Sequence, residues 1–295
     1  MNVLITGLTG LLGQHLGEIC VKNKLHVYAI VRDKRSLTNK FKNIELIEAD
    51  LSNMQTKKLP SDIDTIYYLA QSRRFRDFPG GAFDMLNVNV ISPVKLIDWA
   101  VENNIKRFIY ASSGGVYSPS GSPINENVNI DMISNRDFYL NTKISSEVLL
   151  SNYSSFFDLF AIVRPFFLYG EGQQSSMLIP RLINNVQEGS EILISGENGI
   201  KINPLYVDDA VSALTKLLDI KGSYTFNIGG NEIVSIKDLC DLISSIVGKK
   251  PRYKYINSDA QDLIGDISLM KTHLHTPATS LKAGLQKMVN SAIPR

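Results

Sequence analysis

Tyr139 and Lys143 lie four positions apart in the stretch FYLNTK, which begins at Phe138. If this stretch is helical, the two side chains share one face, because residues at i and i+4 are neighbours on a helix. A free phenol has a pKa of about 10 and is a poor base at neutral pH. An ammonium group close by favours the phenolate, so the pair could move a proton during catalysis. A surface tyrosine and lysine also reach this spacing by chance, and other residues must decide.

A serine at the end of a predicted strand could complete that chemistry. Ser113 follows the strand-like stretch from Arg107 to Ser112, and doubly wound sheets bind ligands at the carboxyl ends of their strands. A hydroxyl group there could donate a hydrogen bond to an oxygen that gains charge in the reaction. Ser113, Tyr139 and Lys143 are therefore candidate catalytic residues for hydride transfer to or from a carbonyl. An ordinary turn serine is the alternative for Ser113.

Glycines directly after the first predicted strand indicate a dinucleotide site. The stretch TGLTGLLG places Gly7, Gly10 and Gly13 between that strand and the first predicted helix. Glycine allows a tight turn, a close approach of the backbone to a pyrophosphate, and close packing of helix on strand. The helix N terminus adds free N–H groups for the phosphates. Leu11 and Leu12 belong to the same turn and to the expected cofactor site.

The end of the second predicted strand bears on which dinucleotide is bound. An acidic residue there would accept hydrogen bonds from the ribose of NAD, whereas an arginine accommodates the 2′-phosphate of NADP. In AIVRDKRS, Val31 stands where the acid is expected, and Arg32 follows with Lys34 and Arg35 nearby. NADP(H) is therefore the favoured cofactor. NAD(H) is the alternative, since a small backbone shift could direct Asp33 to the ribose. The basic residues could also form a solvated loop with no role in binding.

The first half of the chain alternates between strand-like and helix-like patterns. The strand-like stretches are NVLIT, HVYAIV, IELIEA, TIYYLA, RFIYAS and LFAIVRP. Nearly continuous apolar strands indicate burial on both faces, so the expected fold is α/β, with a Rossmann-like doubly wound parallel sheet. After about Gly170 the pattern changes. The predicted domains are a dinucleotide-binding domain at 1–168, with a return segment at 202–222, and a smaller, interleaved C-terminal substrate-binding lobe at 169–295.

Composition places the chain among ordinary globular proteins. With 295 residues, 44% of them hydrophobic and 20% charged, it can form one large or two smaller domains. A net charge of +2 and the lack of long like-charge runs argue against a nucleic-acid partner. No leader and no membrane-spanning apolar run is recognised, so a cytoplasmic protein is expected. Cys20, Cys240 and the histidines lack the spacing of metal ligands, and no metal is expected.

Taken together, these motifs resemble the extended branch of the short-chain dehydrogenase/reductase superfamily, the NAD(P)-dependent nucleotide-sugar epimerases, dehydratases and reductases. The resemblance extends from Met1 almost to the C terminus. It includes TGLTGLLG, NVISPVKLIDWA, YASSGGVY, FYLNTK, VRPFFLYGEG, NPLYVDDA and FNIGG. It implies that Tyr139 is the general acid or base, that Lys143 also holds the nicotinamide ribose, and that Ser113 binds the reacting oxygen. It further implies a nucleotide-sugar substrate and suggests a homodimer through helices of the sheet domain.

The resemblance also extends the candidate site to matching positions. Besides the glycine turn, Arg32, Tyr139 and Lys143, the expected cofactor-binding residues are Asp50, Leu51, Leu69, Ala70, Gln71, Asn89 and Pro165. Asp50 could equally cap the next short helix. The candidate substrate-binding residues are Arg73, Arg74, Arg76, Phe167, Ile179 and Arg181. The arginines lie in the loop QSRRFRDF, where guanidinium groups suit phosphate oxygens and the phenylalanines could cover a base. A solvated loop or a dimer contact is the alternative.

Two departures from the family pattern narrow the expected activity. Gly114 and Gly115 stand where sugar 4,6-dehydratases typically carry an acid pair, so a dehydratase is not expected. Phe167 replaces an asparagine that contacts the substrate diphosphate in many epimerases. This puts the usual contact with the diphosphate in doubt. Arg32, the absence of the acid pair and a compact C-terminal lobe together favour an NADPH-dependent reductase of a nucleotide 4-keto-6-deoxyhexose. A UDP-glucose 4-epimerase-like enzyme is the alternative. A non-catalytic dinucleotide sensor is the alternative of another class, although such proteins usually lose the tyrosine or lysine.

Overall fold

The computed structural model describes residues 1–35, 37, 39–131, 137–258 and 261–292. Its strands are β1 (Asn2–Thr6), β2 (His26–Val31), β3 (Glu45–Glu48), β4 (Thr65–Tyr68), β5 (Arg107–Ala111), β6 (Leu159–Pro165), β7 (Leu168–Tyr169), β8 (Glu191–Ser195), β9 (Lys201–Ile202), β10 (Leu205–Tyr206), β11 (Gly222–Ile228), β12 (Val234–Ser235) and β13 (Arg252–Ile256). Its α-helices are α1 (Leu11–Lys22), α2 (Ala82–Leu86), α3 (Ser92–Glu102), α4 (Phe138–Ser151), α5 (Leu178–Glu188), α6 (Val207–Lys216), α7 (Ile236–Val247), α8 (Ser268–His273) and α9 (Leu281–Ala292).

The central sheet has seven strands in the order β11-β6-β5-β4-β1-β2-β3. Strand β1 pairs in parallel with β2 on one side and with β4 on the other. The chain therefore adds strands first on one side of β1 and then on the other, and the order reverses between β1 and β4. Such a reversal opens a crevice at the carboxyl ends of these strands. The Rossmann-like doubly wound sheet predicted from the sequence is confirmed.

Buried apolar side chains on the sheet explain why these stretches form strands. Leu4 on β1, Ile66 on β4 and Phe108 on β5 are fully buried in one cluster with residues of α3 such as Leu96 and Ile97. Strands covered on both faces read as continuous apolar runs, which is the pattern that the sequence shows. The seventh strand, β11, was not predicted as part of this sheet. Its sequence GSYTFNI is less uniformly buried than the central strands.

The chain divides into two compact units. The sheet unit comprises Met1–Val116, Met132–Arg164 and Leu214–Phe226. The C-terminal unit comprises Tyr117–Asp131, Pro165–Ala213 and Asn227–Arg295, and contains the small two-stranded sheets β10-β7, β12-β9 and β13-β8. No described helix is long and apolar enough to cross a membrane.

Buried polar side chains stabilise the loops of the C-terminal unit. Asn203 donates from Nδ2 to the Gly265 carbonyl at 2.9 Å and accepts from the Gly265 N–H at 3.0 Å. Asp209, near the start of α6, accepts hydrogen bonds from the backbone N–H groups of Ala278 and Thr279 and lies 2.9 Å from His275 Nε2. These hydrogen bonds hold the pKa of Asp209 below its usual range, although burial opposes them.

Candidate active site

Helix α4 positions the tyrosine and lysine of the FYLNTK motif. The carboxylate of Asp137 accepts a hydrogen bond from the Leu140 N–H at 2.8 Å and so caps the helix N terminus. The helix begins at Phe138, which brings Tyr139 and Lys143 onto one face. The Lys143 ammonium nitrogen lies 5.9 Å from the centroid of the Tyr139 ring. The spacing in the sequence therefore corresponds to real proximity.

Lys143 is buried with its ammonium group at the carboxyl end of β5. Its Nζ donates to the Ala111 carbonyl at 2.8 Å and lies 5.0 Å from the centroid of the Tyr110 ring. Burial lowers the pKa of Lys143 to about 7, and the carboxylate of Glu147 opposes this effect. The bond to Ala111 is its one hydrogen bond within the described ranges, and an ammonium group has three donors. Two donors remain for a ligand or for Tyr139.

Tyr139 lies half-buried between two polar side chains. Its hydroxyl donates to Gln71 Oε1 at 2.8 Å. Burial raises the pKa of Tyr139 well above its ordinary value, Asp137 adds to the rise, and a hydrogen bond with Ser113 opposes it. In the free protein the phenol is therefore protonated at neutral pH. A phenolate here requires positive charge nearby.

Ser113 follows β5 and lies beside the start of α4. Its Oγ accepts a hydrogen bond from the Gly115 N–H at 3.1 Å. A Cβ atom at Gly115 would lie 2.9 Å from Leu140 Cδ2 and 3.3 Å from Ser113 Oγ. Glycine at this position thus allows α4 to approach the strand end that carries Ser113. The sequence pattern indicates only a missing acid at Gly115 and gives no sign of this packing role.

The glycine turn has the geometry that a dinucleotide needs. Gly7 has a φ of +78°, and a Cβ atom there would lie 2.8 Å from the Ala70 nitrogen. A Cβ atom at Gly13 would lie 2.2 Å from the Gly7 carbonyl oxygen, so any larger residue would separate α1 from the turn. Helix α1 begins at Leu11 after Gly10, and no side chain of the described residues caps it. Its first N–H groups remain for an anion, and these residues fit a pyrophosphate.

The carboxyl end of β4 meets β1 at this turn. The hydroxyl of Thr6 accepts hydrogen bonds from the backbone N–H groups of Leu69 and Ala70 at 3.1 and 3.2 Å. Leu12 is buried under the turn, and Leu11 is half-buried. The cofactor candidates at the ends of β1 and β4 therefore lie together at the crevice.

The polar residues after β2 and β3 differ in their existing contacts. Arg32 is exposed and makes no hydrogen bond or ion pair with any described residue. Asp33 accepts hydrogen bonds from the backbone N–H of Arg35 at 2.9 Å and from its guanidinium group at 3.1 Å. Asp50 accepts from the Ser52 N–H at 2.9 Å and caps the short 3-10 turn that begins with Leu51. Asp33 is thus engaged, whereas Arg32 is available to a ligand.

Asn89 connects α4 to the loop after β4. It lies fully buried in a π-helical turn, Asn87–Ile91, of a kind often found at functional sites. Its Oδ1 accepts from the Ser72 N–H at 2.9 Å, and its Nδ2 donates to Thr142 Oγ1 at 2.9 Å. Its carbonyl accepts from Ser146 Oγ at 2.5 Å. The sequence proposed Asn89 but not its partners: Ser72 and Thr142 lie within the stretches QSRRFRDF and FYLNTK, but nothing in those stretches indicates a contact with Asn89.

The three arginines of the loop after β4 make different contacts. Arg73 approaches Thr9 of the glycine turn, with 3.5 Å between Nη2 and Oγ1. Arg74 donates from Nε to Asp77 at 2.8 Å within the same loop. The guanidinium group of Arg76 lies 4.9 Å from the centroid of the Phe75 ring. The structure therefore separates residues that the sequence analysis treated as one group.

A cavity of about 470 Å³ adjoins Tyr139. The ring of Phe75 lies 5.5 Å from that of Tyr139, and Phe78 stacks on Phe138 at 5.1 Å. The cavity is lined by Phe75, Arg76, Phe78, Asp137, Phe138, Tyr139 and Leu140. The cavity offers aromatic faces, a guanidinium group and the reactive phenol to one ligand.

The remaining candidates lie at the end of β6 and beyond it. Pro165 ends β6 and is half-buried. Phe167 is half-buried with a φ of +44°, a left-handed conformation that is strained for a side chain of this size. On α5, Ile179 is buried in the C-terminal unit and Arg181 is exposed.

Residues 3–229 match the NAD dependent epimerase/dehydratase family. The protein YtcB of Bacillus subtilis strain 168, described as an uncharacterized UDP-glucose epimerase, is 29% identical, with 97% of this chain and 96% of YtcB covered. The UDP-glucuronate 4-epimerase of Thermodesulfobacterium geofontis is 25% identical over 97% of this chain and 94% of its own. The crystal structure of the UDP-glucuronic acid 4-epimerase from Bacillus cereus, in complex with UDP-glucuronic acid and NAD, superposes with a TM-score of 0.86 at 27% identity, covering 99% and 98% of the two chains.

Proposed function

Because the chain belongs to the NAD dependent epimerase/dehydratase family, we propose that it is a 4-epimerase of a UDP-linked sugar. The observation that carries this proposal is the grouping of Ser113, Tyr139 and Lys143 at the carboxyl end of β5, next to an aromatic cavity. Similar proteins described as UDP-sugar 4-epimerases support it. The sequence favoured a reductase, and these relatives favour the epimerase that was its alternative.

The site residues can move the proton that epimerisation requires. A nicotinamide cofactor held by the glycine turn and the N terminus of α1 would supply reversible hydride transfer at C4 of the sugar. Tyr139 takes the proton of the C4 hydroxyl group and later gives it back. Ser113 donates a hydrogen bond to the C4 oxygen. Lys143 supplies the positive charge that lets Tyr139 act as a base despite its raised pKa.

We assign dinucleotide binding to the sheet unit, where the glycine turn and the ends of β1 and β4 meet. Arg73 near Thr9 is assigned to the cofactor phosphates, and Arg76 to the sugar bound beside Tyr139. Arg74 is neutralised by Asp77 and is assigned a structural role. Phe167, Ile179 and Arg181 remain candidates for substrate contacts.

For the cofactor, the available Arg32 and the engaged Asp33 support NADP(H). A free guanidinium group suits the 2′-phosphate, and the carboxylate that could replace it is bound to Arg35. The similar Bacillus cereus enzyme was crystallised with NAD. NAD is therefore the alternative, and equal or tighter binding of NAD would select it.

We further propose a homodimer through helices of the sheet unit. Phe83 on α2 is 81% exposed and Val148 on α4 is 54% exposed, and Leu86, Ile91 and Leu149 on the same group of helices are also exposed. A second copy would cover these apolar side chains. Sedimentation should show a dimer that Phe83→Asp and Val148→Asp convert to a monomer. A wild-type monomer would refute this part of the proposal.

Isotope retention tests the epimerase assignment directly. The purified protein is incubated with a catalytic amount of NAD or NADP and with UDP-glucose or UDP-glucuronate carrying deuterium at C4. An epimerase forms the C4 epimer with deuterium retained at C4 and with no net loss of cofactor, and Tyr139→Phe abolishes this reaction. Stoichiometric consumption of NADPH with a nucleotide 4-keto-6-deoxyhexose, without epimer formation, would instead select the reductase. Cofactor binding without turnover of any of these substrates would select the sensor.

A further inference from the structure

A buried ion pair lies one helical turn after Lys143 on α4. Glu147 follows Lys143 by four positions on α4, so the two side chains share a helix face. Arg164 on β6 donates to Glu147 through two bonds, from Nε to Oε1 at 3.0 Å and from Nη2 to Oε2 at 2.5 Å. Only 8% of the Arg164 side chain and 6% of the Glu147 side chain are exposed. Tyr139, Lys143 and Glu147 thus follow one another at intervals of four residues along α4, and Arg164 of β6 pairs with the last of them.

Stability alone does not account for this pair. Removing two charges from water is expensive, and an apolar pair of similar volume is often equally or more stable. The contact between α4 and β6 could therefore be made by aliphatic side chains. Charged side chains, in contrast, change the pKa of a neighbouring buried ionisable group.

The group beside them is the ammonium of Lys143. The Ala111 carbonyl, the Tyr110 ring and the Tyr139 ring lie around Nζ. Among the described residues, Glu147 is the charged group that acts on the pKa of Lys143. The negative charge of Glu147 favours the protonated amine, whereas burial disfavours it. The state of Lys143 near neutral pH depends on the balance of these two effects.

Arg164 limits how strongly Glu147 acts. Both carboxylate oxygens of Glu147 accept from Arg164, so Lys143 is not drawn into an i, i+4 ion pair with Glu147. It donates to the Ala111 carbonyl instead and stays near Tyr139. Arg164 therefore affects both the position of the Lys143 ammonium group and its protonation.

We propose that Glu147 and Arg164 are positioning residues for the reaction, Glu147 keeping the Lys143 ammonium charged and Arg164 preventing Glu147 from drawing that ammonium away from Tyr139. The importance of this arrangement for catalysis rests on the proposed function. The predicted effect of Glu147 and Arg164 on the Lys143 pKa does not rest on the proposed function, because it concerns the protonation of Lys143 in the free protein.

The test measures the Lys143 pKa directly by NMR titration of the side-chain ¹³Cε signals of labelled lysine, assigned with Lys143→Arg. Glu147→Gln removes a negative charge and should lower the pKa, which is about 7 in the wild type. Arg164→Met frees the Glu147 carboxylate from its partner, so Glu147 should act more strongly on Lys143 and raise its pKa. Each shift should be on the order of one pH unit. Asp219→Asn, which breaks the exposed pair with Lys216, is the control and should leave the Lys143 signal unchanged.

Opposite shifts in the two variants support the inference, whereas shifts of the same sign, or none, overturn it. If either single variant does not fold, the double variant Glu147→Gln/Arg164→Met decides, because it leaves no unpaired buried charge. The Lys143 pKa in the double variant should lie below the wild-type value, since Glu147 is the charge that raises it in the wild type. An unchanged value overturns the inference.

A second readout connects the pair to catalysis. The pH at which kcat/KM changes through the coupled Tyr139 and Lys143 should move in the same direction as the Lys143 pKa in each variant. A protein inactive on UDP-sugars would refute the proposed function and leave the NMR result intact. An active epimerase whose Lys143 pKa is insensitive to Glu147 would overturn only this inference.

Discussion

Replacing Asn89 by alanine should destabilise the sheet unit and disturb the active site together. The Ser72 N–H would lose the acceptor that the structure gives it, and an unsatisfied buried donor costs about 1 to 3 kcal/mol. Thr142 would lose the bond to its hydroxyl oxygen, worth about 1 kcal/mol. The free energy of unfolding should therefore fall by about 2 to 4 kcal/mol.

The same change should reduce turnover. Ser72 is adjacent to Gln71, which accepts the hydrogen bond of the Tyr139 hydroxyl, and Thr142 lies on α4 between Tyr139 and Lys143. Asn89 thus holds two elements that carry site residues. Small displacements of catalytic groups are costly, and kcat should fall on the order of tenfold or more.

Thermal denaturation followed by circular dichroism measures the first effect. A loss of this size corresponds to a melting temperature lower by roughly 4 to 16 °C. Asn53→Ala is the matched control, because the side chain of Asn53 is exposed and makes no hydrogen bond within the described residues. Its stability should stay within about 0.5 kcal/mol of the wild type. An Asn89→Ala protein as stable as this control would refute the reasoning.

Further predictions concern the cofactor and the dependence of stability on pH. Gly13→Ala should abolish cofactor binding in calorimetry, since its Cβ atom would lie 2.2 Å from the Gly7 carbonyl, whereas Gly121→Ala meets no atom within 4 Å and should bind normally. Arg32→Ala should weaken NADPH selectively, by about 1.5 to 3 kcal/mol for a charged contact, and equal affinity of the wild type for NADH and NADPH would contradict the NADP assignment. Lys143 has a lowered pKa, so between about pH 7 and 10.5 the unfolded chain binds a proton that the folded chain does not. Stability should rise with pH across this window, and Lys143→Met should remove that contribution in urea titrations at several pH values.

The sheet could be predicted from the sequence because its signals are local. Burial on both faces gives β1, β2 and β4 to β6 continuous apolar runs, and the glycine turn marks the strand-to-helix junction. Strand β11 joins the same sheet from more than fifty residues beyond β6, beside which it lies in the strand order. The sequence predicts a return segment at 202–222, but not the strand at Gly222–Ile228, because its position beside β6 depends on tertiary packing and not on a local periodicity.

In the candidate site, too, local sequence signals predict some contacts and not others. The proximity of Tyr139 to Lys143 follows from helix geometry, so their spacing was informative. The separate contacts of Arg73 and Arg74 depend on the path of an irregular loop, which neighbouring identical residue types do not specify. Glu147 does carry a local signal, its position four residues after Lys143, but its partner Arg164 comes from a different strand.

Burial affects Tyr139 and Lys143 in opposite directions, and this has a mechanistic consequence. It raises the pKa of the phenol and lowers that of the ammonium, so in the free protein the proton stays on Tyr139. A charged Lys143 stabilises the phenolate, which makes the basic form of Tyr139 depend on the protonation of its neighbour. The sugar hydroxyl can therefore lose its proton only when the site holds enough positive charge. An oxidised nicotinamide ring is positively charged and would add to that charge if it were bound beside Tyr139. We therefore infer that the phenolate form of Tyr139 is most populated once the oxidised cofactor is bound, and that in the free protein Tyr139 stays protonated.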